Sequence, residues 1–126
     1  MSKRLLIIDN DAEVLNVMQE ALVYEGFEVK ILGNTYNIFD VIAGYKPNLI
    51  MIDYILDGVN GGETCHEIKV HPETAHIPVV IVSAYSKVIL SLGSYRSDAF
   101  LAKPFGLDEM VKLVNELLDA AEMQPY

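Results

Sequence analysis

Four apolar runs in this 126-residue sequence each end on a polar side chain capable of chemistry. Leu5-Leu6-Ile7-Ile8 runs into Asp9-Asn10-Asp11, and Leu49-Ile50-Met51-Ile52 runs into Asp53. Pro78-Val79-Val80-Ile81-Val82 is followed by Ser83, and Ala99-Phe100-Leu101-Ala102 by Lys103. Continuous apolar runs of this length read as strands covered on both faces, and open α/β sheets bind ligands beyond the carboxyl ends of their strands. Two carboxylates, a hydroxyl and an ammonium would then converge on one sheet edge. Crowding two acids there is costly unless something neutralises them. A hard cation with oxygen ligands does so, and Mg2+ fits because it accepts few carboxylates and keeps several waters.

The elements that must position these groups alternate along the chain. After the first strand, Asn10 with Glu13 three residues later reads as a capping box. Val14, Val17, Met18, Ala21 and Leu22 then follow at helical spacing, and Gly26 closes the segment. Residues 27–32 predict a second strand, more polar and near an edge. Ile38, Val41 and Ile42 predict a short helix stopped by Gly44 and Pro47. The glycine-rich stretch 57–62 reads as a loop, with a helix over 63–70 after it. The final helix has the clearest stripe, formed by Leu107, Met110, Val111, Val114, Leu117 and Leu118. This alternation predicts a doubly wound, five-stranded parallel sheet with helices on both faces, one domain over residues 1–126. The least regular stretch is 86–98, where Val88-Ile89-Leu90 is interrupted by Gly93 and Ser94.

Composition bounds the function. With 52% hydrophobic and 21% charged residues, the chain reads as globular rather than disordered. A net charge of −9, from 9 basic and 18 acidic residues, is a poor footprint for nucleic acid or an anionic membrane. It suits an acidic pocket or a basic partner, although acidity also serves solubility alone. The single cysteine, Cys65, has no internal disulfide partner and reads as a small core residue in a reducing compartment. The first apolar run is too short for a signal peptide, and no stretch approaches the roughly 20 residues of a membrane span. A soluble cytoplasmic protein is expected. His66, His71 and His76 lack ligand spacing and read as surface or capping residues.

Taken together, Ile7-Ile8-Asp9-Asn10-Asp11, the stretch from Asp53 through Asp57-Gly58 to Gly61, Val82-Ser83-Ala84 and Lys103-Pro104-Phe105 resemble the bacterial receiver domains of two-component systems. The resemblance covers essentially the whole chain and implies the flavodoxin-like, receiver-type sheet. It also implies that Asp53 is the phosphoacceptor, with Asp9, Asn10, Asp53 and the backbone carbonyl of Ile55 holding Mg2+ directly or through water. Lys103 would pair with the phosphoryl oxygens, next to a proline that is cis in the family. Ser83 would hydrogen-bond the phosphoryl group after transfer, and small Ala84 would leave the donor a way in. Phe100 would be the aromatic that rotates inward when the hydroxyl residue moves. The implied partners are a sensor histidine kinase or histidine phosphotransfer protein and a downstream protein target, with no nucleic acid and no membrane. The chain stops soon after its final helix, so a stand-alone receiver is expected.

The residues keep plainer readings beside these. Asn10 serves equally as a ligand or a helix cap, Ser83 could only shape a turn, Lys103 could be solvated, and Phe100 could be an ordinary core residue. The sequence also departs from the family. Asn10 replaces a carboxylate with an amide, which should weaken the metal site without abolishing it. Asp57 stands where proline is common. Ile55 and Tyr85, two residues after Asp53 and Ser83, should hinder an in-line water and give a long-lived aspartyl phosphate. The enzyme alternative is a haloacid-dehalogenase-type phosphatase with Asp9 as nucleophile, but it wants Thr or Val at Glu13 and an acidic pair at another strand end, whereas Asp108-Glu109 falls in the final helix. A degenerate receiver acting only as an interaction module is the third reading. A flavodoxin-like electron carrier would need a phosphate loop after the first strand, and none is present.

Overall fold

The apolar runs become the inner strands of a single parallel sheet in the computed structural model, which describes residues 2–85 and 93–123. Its strands are β1 (Arg4–Ile8), β2 (Glu28–Leu32), β3 (Leu49–Asp53), β6 (Val79–Ser83) and β7 (Ala99–Ala102). They lie in the order β2-β1-β3-β6-β7, all parallel, so the polar β2 is an edge strand as predicted. Helices α1 (Ala12–Tyr24), α2 (Ile38–Tyr45), α3 (Gly61–Val70) and α4 (Leu107–Glu122) connect and cover it.

Alternate strand residues face opposite layers. Leu5, Ile7, Leu49, Met51, Val80 and Val82 pack against α1 and α4, whereas Leu6, Ile8, Ile50, Ile52, Val79 and Ile81 pack against α2 and α3. Both faces are therefore apolar, which is why these strands show no polar alternation in the sequence.

Several helical details differ from the sequence reading. Helix α1 is capped by Asp11, not Asn10: the Asp11 carboxylate accepts from the Glu13 and Val14 N–H groups at 3.0 and 3.3 Å. The Asp9 carboxylate accepts the Asp11 N–H, and this turn moves the helix start one residue on. The buried stripe of α1 is Leu15, Met18 and Leu22, with Val17 exposed, because a helix can aim only about one face at the sheet. Helix α2 runs through Gly44 and ends at Lys46, which has φ +55, just before Pro47. In α4 the spacing of four holds: Met110, Val114 and Leu118 are buried, Val111 and Leu117 flank them, and Leu107 is largely exposed.

The stretch read as a loop holds a small hairpin of β4 (Ile55–Leu56) and β5 (Val59–Asn60). Asp57 and Gly58 turn it, with Gly58 at φ +70, a conformation that glycine adopts without a Cβ clash. Asn60 then caps α3 by accepting from the Gly62 and Glu63 N–H groups, so that helix starts two residues earlier than predicted. Of the irregular stretch 86–98, residues 86–92 lie outside the described residues.

Candidate functional site

Each of the four strand-end groups is delivered by one of four adjacent strands. Asp9 follows β1, Asp53 closes β3, Ser83 closes β6 and Lys103 follows β7. The backbone locks the ends together: Tyr54 N–H donates to the Val82 carbonyl at 2.8 Å and Lys103 N–H to the Ser83 carbonyl at 2.9 Å. Asp9, Asp53 and Ser83 are buried, at 2%, 8% and 2% exposure, so these polar groups must be satisfied from within.

The ammonium of Lys103 is what satisfies the acids. Its Nζ lies 3.0 Å from Asp9 Oδ2 and 3.4 Å from Asp53 Oδ2. The other Asp9 oxygen accepts the Asp11 N–H at 2.9 Å, and the Asp53 carboxylate is hydrogen-bonded by the Ile55 backbone. Burial, and next the Asp9 charge, raise the Asp53 pKa above the usual carboxylate range; Lys103 and the Ile55 hydrogen bond offset this only in part. For Lys103, burial works to lower the pKa, but the hydrogen bond to Asp9 and the charges of Asp53 and Asp9 outweigh it and raise the value. One cation therefore serves two anions, and the site holds an uncompensated negative charge.

That donor set fits a hard divalent cation. Among the described residues no group of three or more His, Cys, Asp or Glu side chains converges as a metal cluster. Mg2+ does not need one, since it is commonly bound by one or two carboxylates with water completing its shell. The amide of Asn10 stands exposed at the rim, its Nδ2 3.4 Å from Asp57 Oδ1.

The other expected residues fall as follows. Ser83 Oγ accepts the Tyr85 N–H at 2.8 Å and so shapes the turn after β6. Phe100 is half-buried and packs against the α2/α3 side of the core. The Lys103–Pro104 peptide is cis. Ile55 and Tyr85 are both about half exposed at the rim. Cys65 is fully buried and its thiol is pushed up to about 12 by desolvation, so it is an inert core residue. His71 forms the C-terminal cap of α3 and lines a pocket with Arg4 and Asn48, at the amino ends of the strands.

Two residues that build the site had no role legible in the sequence: Gly61, which closes the resembling stretch, and Tyr95. Gly61 donates its N–H to the Tyr54 carbonyl at 2.7 Å, and a Cβ there would stand 1.9 Å from the Asp53 carbonyl oxygen. Its signal was present, as a glycine at the end of a turn before a helix, but the close approach was not legible. Tyr95 reaches the residue after Asp53 from 41 positions away, and no local pattern announces it.

Comparison with known proteins agrees with this geometry. The response regulator receiver domain family matches residues 5–115, and the chain belongs to that family. It is 30% identical to a probable transcriptional regulator, ycf29, of Porphyra purpurea, over 94% of this chain and 57% of that protein. It is 27% identical to the DNA-binding response regulator MtrA of Mycobacterium leprae, over 99% of this chain and 55% of that protein. The chain thus spans about half the length of these curated relatives. Among solved structures, a CheY-like receiver domain protein from Methanospirillum hungatei superposes with a TM-score of 0.84 at 27% identity, covering 97% of this chain and 98% of that one. The response regulator TrrA of Thermotoga maritima, solved with Mg2+ and BeF, superposes with a TM-score of 0.81 at 25% identity, over 91% and 98% of the two chains. With a receiver assignment, the phosphatase alternative falls; Asp108 and Glu109 stand in the first turn of α4, not at a strand end.

Proposed function

We propose that Asp53 accepts a phosphoryl group from a phosphohistidine donor with Mg2+ bound, and that the resulting charge change alters contacts with a protein target. The observation that carries this is the Asp9–Lys103–Asp53 cluster, two buried carboxylates sharing one ammonium at adjacent strand ends. Asp9, Asp53, the Asn10 amide and the Ile55 carbonyl would hold the metal directly or through water. Bound there, Mg2+ supplies charge neutralisation for the acids and for the transferring oxygens. An Asp53 carboxylate oxygen forms the new P–O bond as the donor's P–N bond breaks, and the imidazole leaves with the electron pair. Lys103 draws toward the phosphoryl oxygens, and Ser83 exchanges its bond to the Tyr85 N–H for one to the phosphoryl group. Phe100 follows Ser83 inward.

A cleft of about 530 Å3, lined by Lys103 with Val14, Met18, Ala84, Pro104 and Phe105, offers a docking surface that reaches the acceptor through Lys103. It suits a helix of a sensor histidine kinase or histidine phosphotransfer protein, since a histidine must come within bonding reach of Asp53. The strongly acidic chain favours protein rather than nucleic-acid partners. Among the described residues no helix is long and apolar enough to cross a membrane. The Mg2+–BeF complex of TrrA supports the same cofactor here.

The test is intact mass with and without acetyl phosphate and MgCl2, followed by peptide mapping. A single metal-dependent phosphoryl addition on Asp53 is expected. No addition to the folded, Mg2+-replete protein would leave an interaction module, and an adduct on Asp9 would overturn the assignment of roles.

A further inference from the structure

Tyr54, immediately after Asp53, is held on every side. Its N–H donates to Val82 and its carbonyl accepts the Gly61 N–H. Its hydroxyl lies 3.3 Å from the Tyr95 hydroxyl and accepts from Asn60 Nδ2 at 3.4 Å. The hydrogen bond to Tyr95 is the main reason the Tyr54 phenol is pushed above its usual pKa. The two rings pack with centroids 6.0 Å apart at a 44° tilt.

Tyr95 is itself firmly seated. Its ring lies over Gly62 so closely that a Cβ there would stand 2.7 Å from it, and the Cys65 thiol points to its carbonyl at 3.6 Å. Tyr95 and Arg96 have φ of +52° and +61°. Consecutive left-handed residues that carry a Cβ are costly and persist only where their surroundings over-determine them, commonly at functional sites. Here the hydroxyl, ring and carbonyl contacts supply that constraint. None of these groups takes part in the phosphoryl chemistry.

We propose that Tyr95 is a positioning residue for the phosphoacceptor loop: through the Tyr54 hydroxyl it fixes the backbone from Asp53 to Ile55 against the segment leading into β7. The consequence for Mg2+ affinity rests on the proposed role of the Ile55 carbonyl; the mechanical tether does not. By reciprocity, a ligand that fixes the Asp53 loop also steadies residues 93–98, and with them the entry to the strand bearing Phe100.

The experiment is an amide NMR study of the full chain and its Tyr54→Phe, Tyr95→Phe and doubly substituted variants. It reads hydrogen exchange at Gly61 and Gly62 without metal, then Mg2+ affinity from a MgCl2 titration. Tyr95→Phe keeps the ring over Gly62 and removes only the hydroxyl. It should speed exchange at both glycines and weaken Mg2+ binding about threefold to tenfold. The double variant should match Tyr54→Phe alone, because the second hydroxyl then has nothing left to hold. Independent, multiplying effects of the two substitutions on exchange, or unchanged exchange in Tyr95→Phe, would overturn the tether. Faster exchange with unchanged Mg2+ affinity would keep the tether and reject its role at the metal. Failure of the parent chain to bind Mg2+ would reject the metal site, and exchange alone would still decide the tether.

Discussion

The strand-end groups and the rim groups of the site are built by different means. Asp9, Asp53 and Ser83 are buried and sit at the ends of neighbouring strands, where the ladder fixes their spacing. Asn10, Asp57 and Tyr85 ride on turns and Ile55 on the short β4 strand, all exposed, and among the described residues the hydrogen bond that links two of their side chains, between Asn10 and Asp57, is long. Groups held by a sheet in low dielectric interact strongly, and groups in solvent interact weakly. Under the proposed function, the chemistry therefore falls to the strand ends, and the rim would tune affinity and lifetime.

Substitution of Asp53 should break the comparison most completely. Asp53→Asn should abolish phosphoryl addition, read by intact mass, while stabilising the metal-free fold. Burial and Asp9 raise the Asp53 pKa, so the folded state disfavours its ionised form. The stability present below the unfolded pKa is therefore lost as pH rises through the raised folded value. Asn, which never ionises, escapes that loss. The variant's thermal midpoint should exceed the parent's at pH 7, by roughly 3–5 °C for each kcal/mol in a domain of this size, and the gap should close toward pH 4. MgCl2 should raise the parent's midpoint more than the variant's.

Lys103→Ala comes next. It leaves two buried carboxylates facing each other without a cation, and should cost about 2–3 kcal/mol in urea unfolding. That is below the value for a fully enclosed pair because the lysine side chain is about a quarter exposed. MgCl2 should restore part of the loss, since the metal replaces the missing charge. Equal destabilisation with and without Mg2+ would argue against a metal between Asp9 and Asp53.

The rim should give smaller changes. Asn10→Asp adds a carboxylate at an exposed position and should tighten Mg2+ several-fold, about 1 kcal/mol, while slightly lowering metal-free stability. Ile55 and Tyr85 should slow hydrolysis by shielding the acceptor from an in-line water. Ile55→Asn with Tyr85→Ala should shorten the aspartyl-phosphate lifetime several-fold, as followed by phosphate release. Decay of the parent's adduct within seconds in Mg2+ buffer would remove the basis for this shielding. A rim substitution that matched Asp53→Asn in effect would erase the division between the two regions.

Much of this was legible in the chain alone. Apolar runs ending on Asp9, Asp53, Ser83 and Lys103 reveal both the buried parallel strands and the edge where their polar ends meet, because burial on two faces leaves a continuous signal. The edge character of β2 and the stripe of α4 follow from the same reasoning. Local competition was less legible: both Asn10 and Asp11 are good caps, and only the Asp9 carboxylate holding the Asp11 N–H decides between them. Likewise Asp57-Gly58 looks like any turn until the hairpin pairs around it.

What the sequence determined, then, is which residues stand at the carboxyl edge. That depends on hydrophobic period and on the residue at which each apolar run ends, both written locally along the chain. Only the tertiary structure decided how they share charge, with one ammonium between two acids, and which distant residue steadies them. Lys103 reaches Asp9 from 94 positions away, and Tyr95 reaches Tyr54 from 41. Such contacts depend on the packing of whole elements, and no local spacing encodes them.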